Sequence, residues 1–131
     1  MKYYYYELFD KNEVSELHNL LRVLKKNEKN IPMDVLKTKY KVPYEELKLK
    51  IWYCIKVLLI KGTMEKLSFK GNGDKLFFFE KASDCIDKSV IAKGFYREVL
   101  ENGISDDAIK FNREAEEEIL ELSLIQLDKA S

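Results

Sequence analysis

Residues 58–81 read LLIKGTMEKLSFKGNGDKLFFFEK, and they carry the clearest local structural signal of the chain. Residues 63–69 and 75–81 are rich in aromatic and β-favouring side chains, which is typical of strands. Asn72 and Gly73 lie between these runs, and an Asn-Gly pair in this position is a strong signal for a two-residue hairpin turn. The stretch therefore predicts a two-stranded β-hairpin.

Two helices are expected directly before the hairpin. Pro32 suits the first turn of a short helix, because its fixed φ is compatible with that position. The second helix is predicted at residues 43–61, where Glu45 and Glu46 fall in the first turn and favour the positive end of the helix dipole. Gly62 follows as a natural left-handed terminator.

The N-terminal part of the chain predicts a strand and then a helix. Residues 2–8 are aromatic-rich and favour a short strand. Asp10 and Glu13 stand three apart, as in a capping box, and should begin the helix. Its apolar stripe has helical spacing, and the polar run 25–30 should end it. The stripe comprises Val14, Leu17, Leu20, Leu21 and Leu24.

The order of helix, short helix, longer helix and hairpin resembles the winged-helix family of DNA-binding domains. In that resemblance residues 43–61 are the recognition helix and residues 63–81 are the wing. It implies a mainly α fold with a small β-hairpin, as a winged helix-turn-helix domain with an N-terminal strand at residues 1–82. The resemblance rests on element order and turn chemistry, and a fold alone does not establish an activity.

Residues 83–131 are expected to form a C-terminal helical arm that makes a homodimer. Helices are predicted at residues 83–102 and 105–129, separated at Asn102-Gly103. The last helix carries two offset apolar stripes, and the second stripe needs a partner, most commonly a symmetric copy. The alternative is that this helix folds back over Trp52 and Tyr53. The expected dimerisation residues are Phe111, Ala115, Ile119, Leu120, Leu122, Leu124 and Leu127.

Composition narrows the classes of function. The 35% of charged residues excludes a membrane protein, and the 46% of hydrophobic residues excludes wholesale disorder. The first six residues, MKYYYY, lack the apolar core of a signal peptide, so a cytoplasmic location is expected. Two cysteines and one histidine leave little material for a metal site or a catalytic triad. We expect no enzymatic activity, no cofactor and no metal.

Charge is distributed unevenly along the chain. Up to Ala82 there are 17 Lys and Arg against 11 Asp and Glu, and the remainder is acidic by the same margin. Solvated helix faces would give such a drift by chance, but the lysines cluster around the predicted recognition helix and wing. With the resemblance, this predicts sequence-specific binding of double-stranded DNA by a small transcriptional regulator. The expected DNA contacts are Lys37, Lys39, Lys41, Tyr44, Lys48, Lys50, Lys56, Lys66, Lys70 and Lys75.

One face of the predicted recognition helix points to a different function. Leu49, Trp52 and Tyr53 form an apolar surface where a groove-reading helix should be polar. The alternative function is therefore a winged-helix module that binds another protein through this aromatic patch. Exposure of Trp52 and Tyr53 would favour the module, whereas burial by the chain's own helices would remove the objection to DNA binding.

Overall fold

The computed structural model describes residues 12–30 and 41–130, with side chains given except at positions 27, 30, 41, 42, 72 and 122–130. The described residues form five helices and contain no strand. The predicted N-terminal strand and the short helix at Pro32 lie outside the described residues. The helices are α1 (Glu13–Asn30), α2 (Lys41–Met64), α3 (Asn72–Lys88), α4 (Val90–Asn102) and α5 (Asp106–Ala130).

The predicted β-hairpin, and the winged helix-turn-helix fold with it, are wrong. Thr63 belongs to the last turn of α2, where its hydroxyl donates a 2.8 Å hydrogen bond to the carbonyl of Leu59. The Asn-Gly pair begins α3 and makes no turn, since Gly103 is the one glycine of the described residues with positive φ. Phe78 and Ile86 are both fully buried in the core. Phe79 and Ala82 are buried with them at a separation of three residues, which fits one face of a helix, whereas a strand would turn them to opposite faces.

Helix α2 is longer at both ends than predicted. It begins at Lys41, and Pro43 is tolerated near its start because the first N–H groups of a helix have no intrahelical partner. Gly62, predicted to end the helix, lies inside it. At Gly62 the helix passes so close to the carboxylate of Glu116 on α5 that a β-carbon would displace that group.

Hydroxyl and amide side chains set the starts of three helices. Asn12 caps α1 by accepting a hydrogen bond of 3.2 Å from the N–H of Ser15, whereas the predicted cap at Asp10 lies outside the described residues. Ser89 caps α4 by accepting from the N–H of Ala92 at 3.0 Å. Ser105 caps α5 in the same way, through the N–H of Ala108 at 3.1 Å, which confirms the predicted start of the last helix.

The prediction of one helix over residues 83–102 is wrong, because Ser89 has an extended backbone and separates α3 from α4. The predicted boundary between residues 82 and 83 lies inside α3. The separation at Asn102-Gly103 is confirmed, and Gly103 takes a φ of 70° that suits glycine.

Helix α5 contacts α2, α3 and α4, and helix α2 contacts α1, α3 and α5. Its buried side chains point in several directions around the helix, since three neighbours cover it. In the described part of the chain, no helix has the length and apolar character needed to cross a membrane. The α2 residues in the core are Ile51, Cys54, Ile55, Val57, Leu59 and Ile60.

Candidate functional site

A groove of about 300 Å³ opens between α2 and α4, with the end of α3 at its edge. We call it the aromatic groove. Leu49 is 59% exposed there, although it is a large apolar side chain. The rings of Trp52 and Tyr96 pack edge to face, with their centroids 5.2 Å apart and their planes at 72°. The groove is lined by Leu49, Trp52, Asp87, Lys93 and Tyr96.

Tyr96 is held in place by its hydroxyl group. That hydroxyl donates a 3.1 Å hydrogen bond to the backbone carbonyl of Lys48, so α4 is tied to α2 beside the groove. Burial raises the pKa of Tyr96, and the negative charge of Glu45 raises it further. The phenol therefore stays protonated at neutral pH and keeps its role as a donor.

A second depression of about 400 Å³, the charged cleft, lies where α1, α2 and α4 meet. The hydroxyl of Tyr44 donates to Oε1 of Glu28 at 2.8 Å, and the Nζ of Lys25 lies 3.6 Å from Oε2 of the same carboxylate. The Nζ of Lys48 lies 5.4 Å from the centroid of the Tyr44 ring. The cleft is lined by Leu24, Lys25, Glu28, Tyr44, Lys48, Arg97, Leu100 and Glu101.

The groove and the cleft are neighbours on the same pair of helices. Lys48 belongs to the cleft through its side chain, and its carbonyl accepts the hydrogen bond from Tyr96 of the groove. Tyr96 and Arg97 are consecutive on α4 and line the groove and the cleft respectively. Together they form one surface with an aromatic part and a charged part.

The residues predicted to contact DNA are in different environments. Lys37 and Lys39 lie outside the described residues, as does the side chain of Lys41. Tyr44 and Lys48 line the charged cleft, and Lys50, Lys70 and Lys75 are exposed.

Two of the predicted DNA contacts form ion pairs with other helices. Lys56 is buried, with its Nζ 2.9 Å from Oδ1 of Asp87 on α3. Lys66 lies 3.6 Å from the carboxylate of Glu116 on α5. A phosphate would have to compete with those partners, and DNA binding stays a prediction.

Several residues predicted to hold a dimer contribute to the core of the chain itself. Ala115 and Ile119 are each 1% exposed in the hydrophobic core. The Phe111 ring packs closely against Gly94 of α4. Leu120 is partly exposed, while the side chains of Leu122, Leu124 and Leu127 are not described. The dimer itself stays a prediction.

Sequence reasoning identified Leu49 and Trp52 but missed Tyr96, Lys93 and Arg97. These three lie within two turns of α4, which the sequence predicts as one helix together with the end of α3. Tyr53 was assigned to the patch but does not line the groove, and the Nζ of Lys56 lies 5.5 Å from the centroid of its ring. Recognising Ser89 as a helix cap would have isolated α4 and its polar face.

In the part of the chain that the structure describes, no group of three His, Cys, Asp or Glu side chains is arranged to hold a metal ion. No protein-family model, curated protein or solved structure matches this chain.

Proposed function

We propose that the protein is a protein-interaction module that binds a segment of a partner in the aromatic groove. The observation that carries this proposal is the exposed Leu49 beside the edge-to-face pair of Trp52 and Tyr96. Tryptophan, tyrosine and arginine are the residue types that dominate binding energy in protein interfaces. The groove supplies the first two, and Arg97 follows directly on α4.

The shape of the groove supports this kind of ligand. Its volume of about 300 Å³ is at the lower end of the range for small-molecule pockets, and suits one or two apolar side chains. The hydrogen bond from Tyr96 to the Lys48 carbonyl fixes one wall in advance. A preformed wall reduces the entropy lost on binding and so favours a stable complex.

Binding of duplex DNA is the second candidate, and the exposed Lys50, Lys70 and Lys75 support it. It predicts that affinity falls steeply as salt is raised, because each neutralised phosphate releases counterions. It also predicts that reversing the charge of these lysines weakens binding more than changing Leu49.

The proposal is tested by panning a random peptide library against the folded protein. Trp52 is the only tryptophan of the chain, so its fluorescence reports directly on the groove. We expect the selected peptides to shift the Trp52 emission and to lose at least tenfold in affinity against Leu49→Asp. Leu49 is exposed, so this variant should fold.

Ile109→Asp is the matched control, because Ile109 is 48% exposed on α5, outside the groove. It should bind the peptides as the unmodified protein does. Peptides that bind Leu49→Asp as tightly as the unmodified protein would contradict the proposal. So would a selection that yields no peptide specific for the unmodified protein, together with salt-dependent binding of random duplex DNA.

A further inference from the structure

We infer that the segment bound in the aromatic groove carries Asp or Glu beside its apolar anchor, and that these carboxylates bind Lys48, Lys93 and Arg97. The inference rests on the proposed function and names the chemistry of the partner.

The charges that line the surface indicate which sign of charge a ligand should carry. Two of its carboxylates already have cationic partners within the chain: Glu28 is 3.6 Å from Lys25, and Asp87 is 2.9 Å from Lys56. Among the side chains that the structure describes, Lys48, Lys93 and Arg97 take part in no ion pair. Counting only described side chains, the lining thus offers three cations without a carboxylate partner against one such carboxylate, Glu101.

The spacing of these cations matches a short peptide. Lys93 and Arg97 are four residues apart on α4, so their β-carbons are about 5–6 Å apart on one face of the helix. Tyr96 of the groove lies between them in sequence. An apolar anchor seated against Tyr96 would therefore place acidic residues a few positions away within reach of both. Arginine can bind a carboxylate through two parallel hydrogen bonds, which adds geometric specificity.

Nucleic acid is the competing ligand, since bases stack on aromatic rings and phosphates bind lysine and arginine. The surface favours a peptide for two reasons. Trp52 and Tyr96 are packed against each other, not spaced to receive successive bases. Glu101 lies among the cations, and Glu45 is close enough to Tyr96 to raise its pKa. A continuous chain of phosphates would be repelled by both carboxylates, whereas single acidic residues can avoid them.

The experiment uses the peptides selected by panning and follows Trp52 fluorescence. We expect enrichment in Asp and Glu around an apolar residue, and a loss of about threefold to tenfold in affinity when those acids become Asn and Gln. Arg97→Glu should lower the affinity for the acidic peptide by a similar factor. It should raise the affinity for a peptide that has Lys in place of the acidic residues. Glu45→Lys should raise the affinity for the acidic peptide. Arg113→Glu, an exposed position on α5, is the matched control and should change nothing.

The two proposals can fail separately. If Leu49→Asp abolishes binding while Arg97→Glu and the amide peptides leave it unchanged, the inference about charge is wrong and the interaction module stands. If the peptides bind Leu49→Asp normally, both are overturned. A thymidine oligonucleotide that binds more tightly than every selected peptide, and loses affinity in Arg97→Glu, would replace the acidic peptide by nucleic acid.

Discussion

The Nζ of Lys56 lies 2.9 Å from Oδ1 of Asp87, and this ion pair joins the middle of α2 to the end of α3. The two partners differ in exposure: the side chain of Lys56 is 9% exposed, and that of Asp87 is 50% exposed. The ammonium group is thus held inside the protein by a carboxylate that water can reach.

This asymmetry predicts unequal effects of mutation. Asp87→Asn should lower the free energy of unfolding by about 1–3 kcal/mol, because it leaves a buried ammonium without its counter-charge. Lys56→Met should stay within about 1 kcal/mol of the unmodified protein, since an apolar side chain of similar length fills the same space. Urea unfolding followed by circular dichroism measures both. Equal losses in the two variants would contradict the argument.

Two glycines with opposite backbone requirements test the fold. Gly73 lies in the first turn of α3 with open space around it, so Gly73→Ala should stabilise the protein by up to about 1 kcal/mol. Gly103 has equally open space but a φ of 70° and a ψ of −149°. Gly103→Ala should therefore destabilise the protein by about 1–3 kcal/mol through backbone strain alone. Thermal unfolding compares the pair, and destabilisation by Gly73→Ala would favour the turn that the sequence predicts.

Deprotonation of Tyr44 in strong alkali should lower the free energy of unfolding. Burial, the hydrogen bond to Glu28 and the charge of Glu28 raise its pKa from 10.0 to about 12. The folded state therefore keeps the proton more tightly than the unfolded state. The resulting stabilisation is complete below pH 10 and is lost as the pH rises towards 12. In Tyr44→Phe the free energy of unfolding should fall less steeply across this range. The difference in tyrosinate absorbance between the two proteins gives the pKa, and a midpoint near 10 would refute the assignment.

The predicted dimer can now be tested without unfolding the chain. Ile119 is 1% exposed, so Ile119→Asp should destabilise the fold by about 3 kcal/mol or more and says nothing about assembly. Leu120→Asp is the informative variant, because Leu120 belongs to the second apolar stripe and is partly exposed. We expect it to retain its helical circular dichroism and to halve the mass measured by light scattering. An unmodified protein that already has the mass of one chain would show that the second apolar stripe serves another purpose.

The helices at both ends of the described chain could be predicted from the sequence, because the apolar spacing and the capping residues both indicate a helix there. Leu17, Leu21 and Leu24 of α1 are buried at helical spacing, and Ser105 caps α5 as expected. The predicted hairpin is wrong because local propensity favours a strand at residues 75–81 whereas tertiary packing places them on a helix. Phe78 and Phe79 favour strands in isolation, yet they are buried together with Ala82 and Ile86 on a helix. The predicted boundary after residue 82 separates Ala82 from Ile86, so the helical spacing of these buried residues is not apparent on either side of it.

The candidate binding surface could also be predicted only in part from the sequence. Leu49 and Trp52 could be recognised, because they are apolar residues on the face of the helix opposite the predicted core stripe. Tyr96 could not be paired with Trp52, because the two residues are more than forty positions apart in sequence and their contact depends on how α4 crosses α2. Nor can sequence spacing show that Lys56 forms an ion pair with Asp87 while Arg97 forms none with any described side chain.

The position of α2 among three other helices also affects how the chain folds as it is made. Its apolar side chains are covered by α1, which precedes it, and by α3 and α5, which follow it. The ribosome must add roughly forty residues after Met64 before α5 even begins, which takes about 2–8 s at ordinary rates of synthesis. During that interval one side of α2 has no neighbour, and the nascent chain presents an apolar helix to its surroundings. Molecular chaperones that bind such helices are therefore expected to protect this protein during synthesis more than after its release.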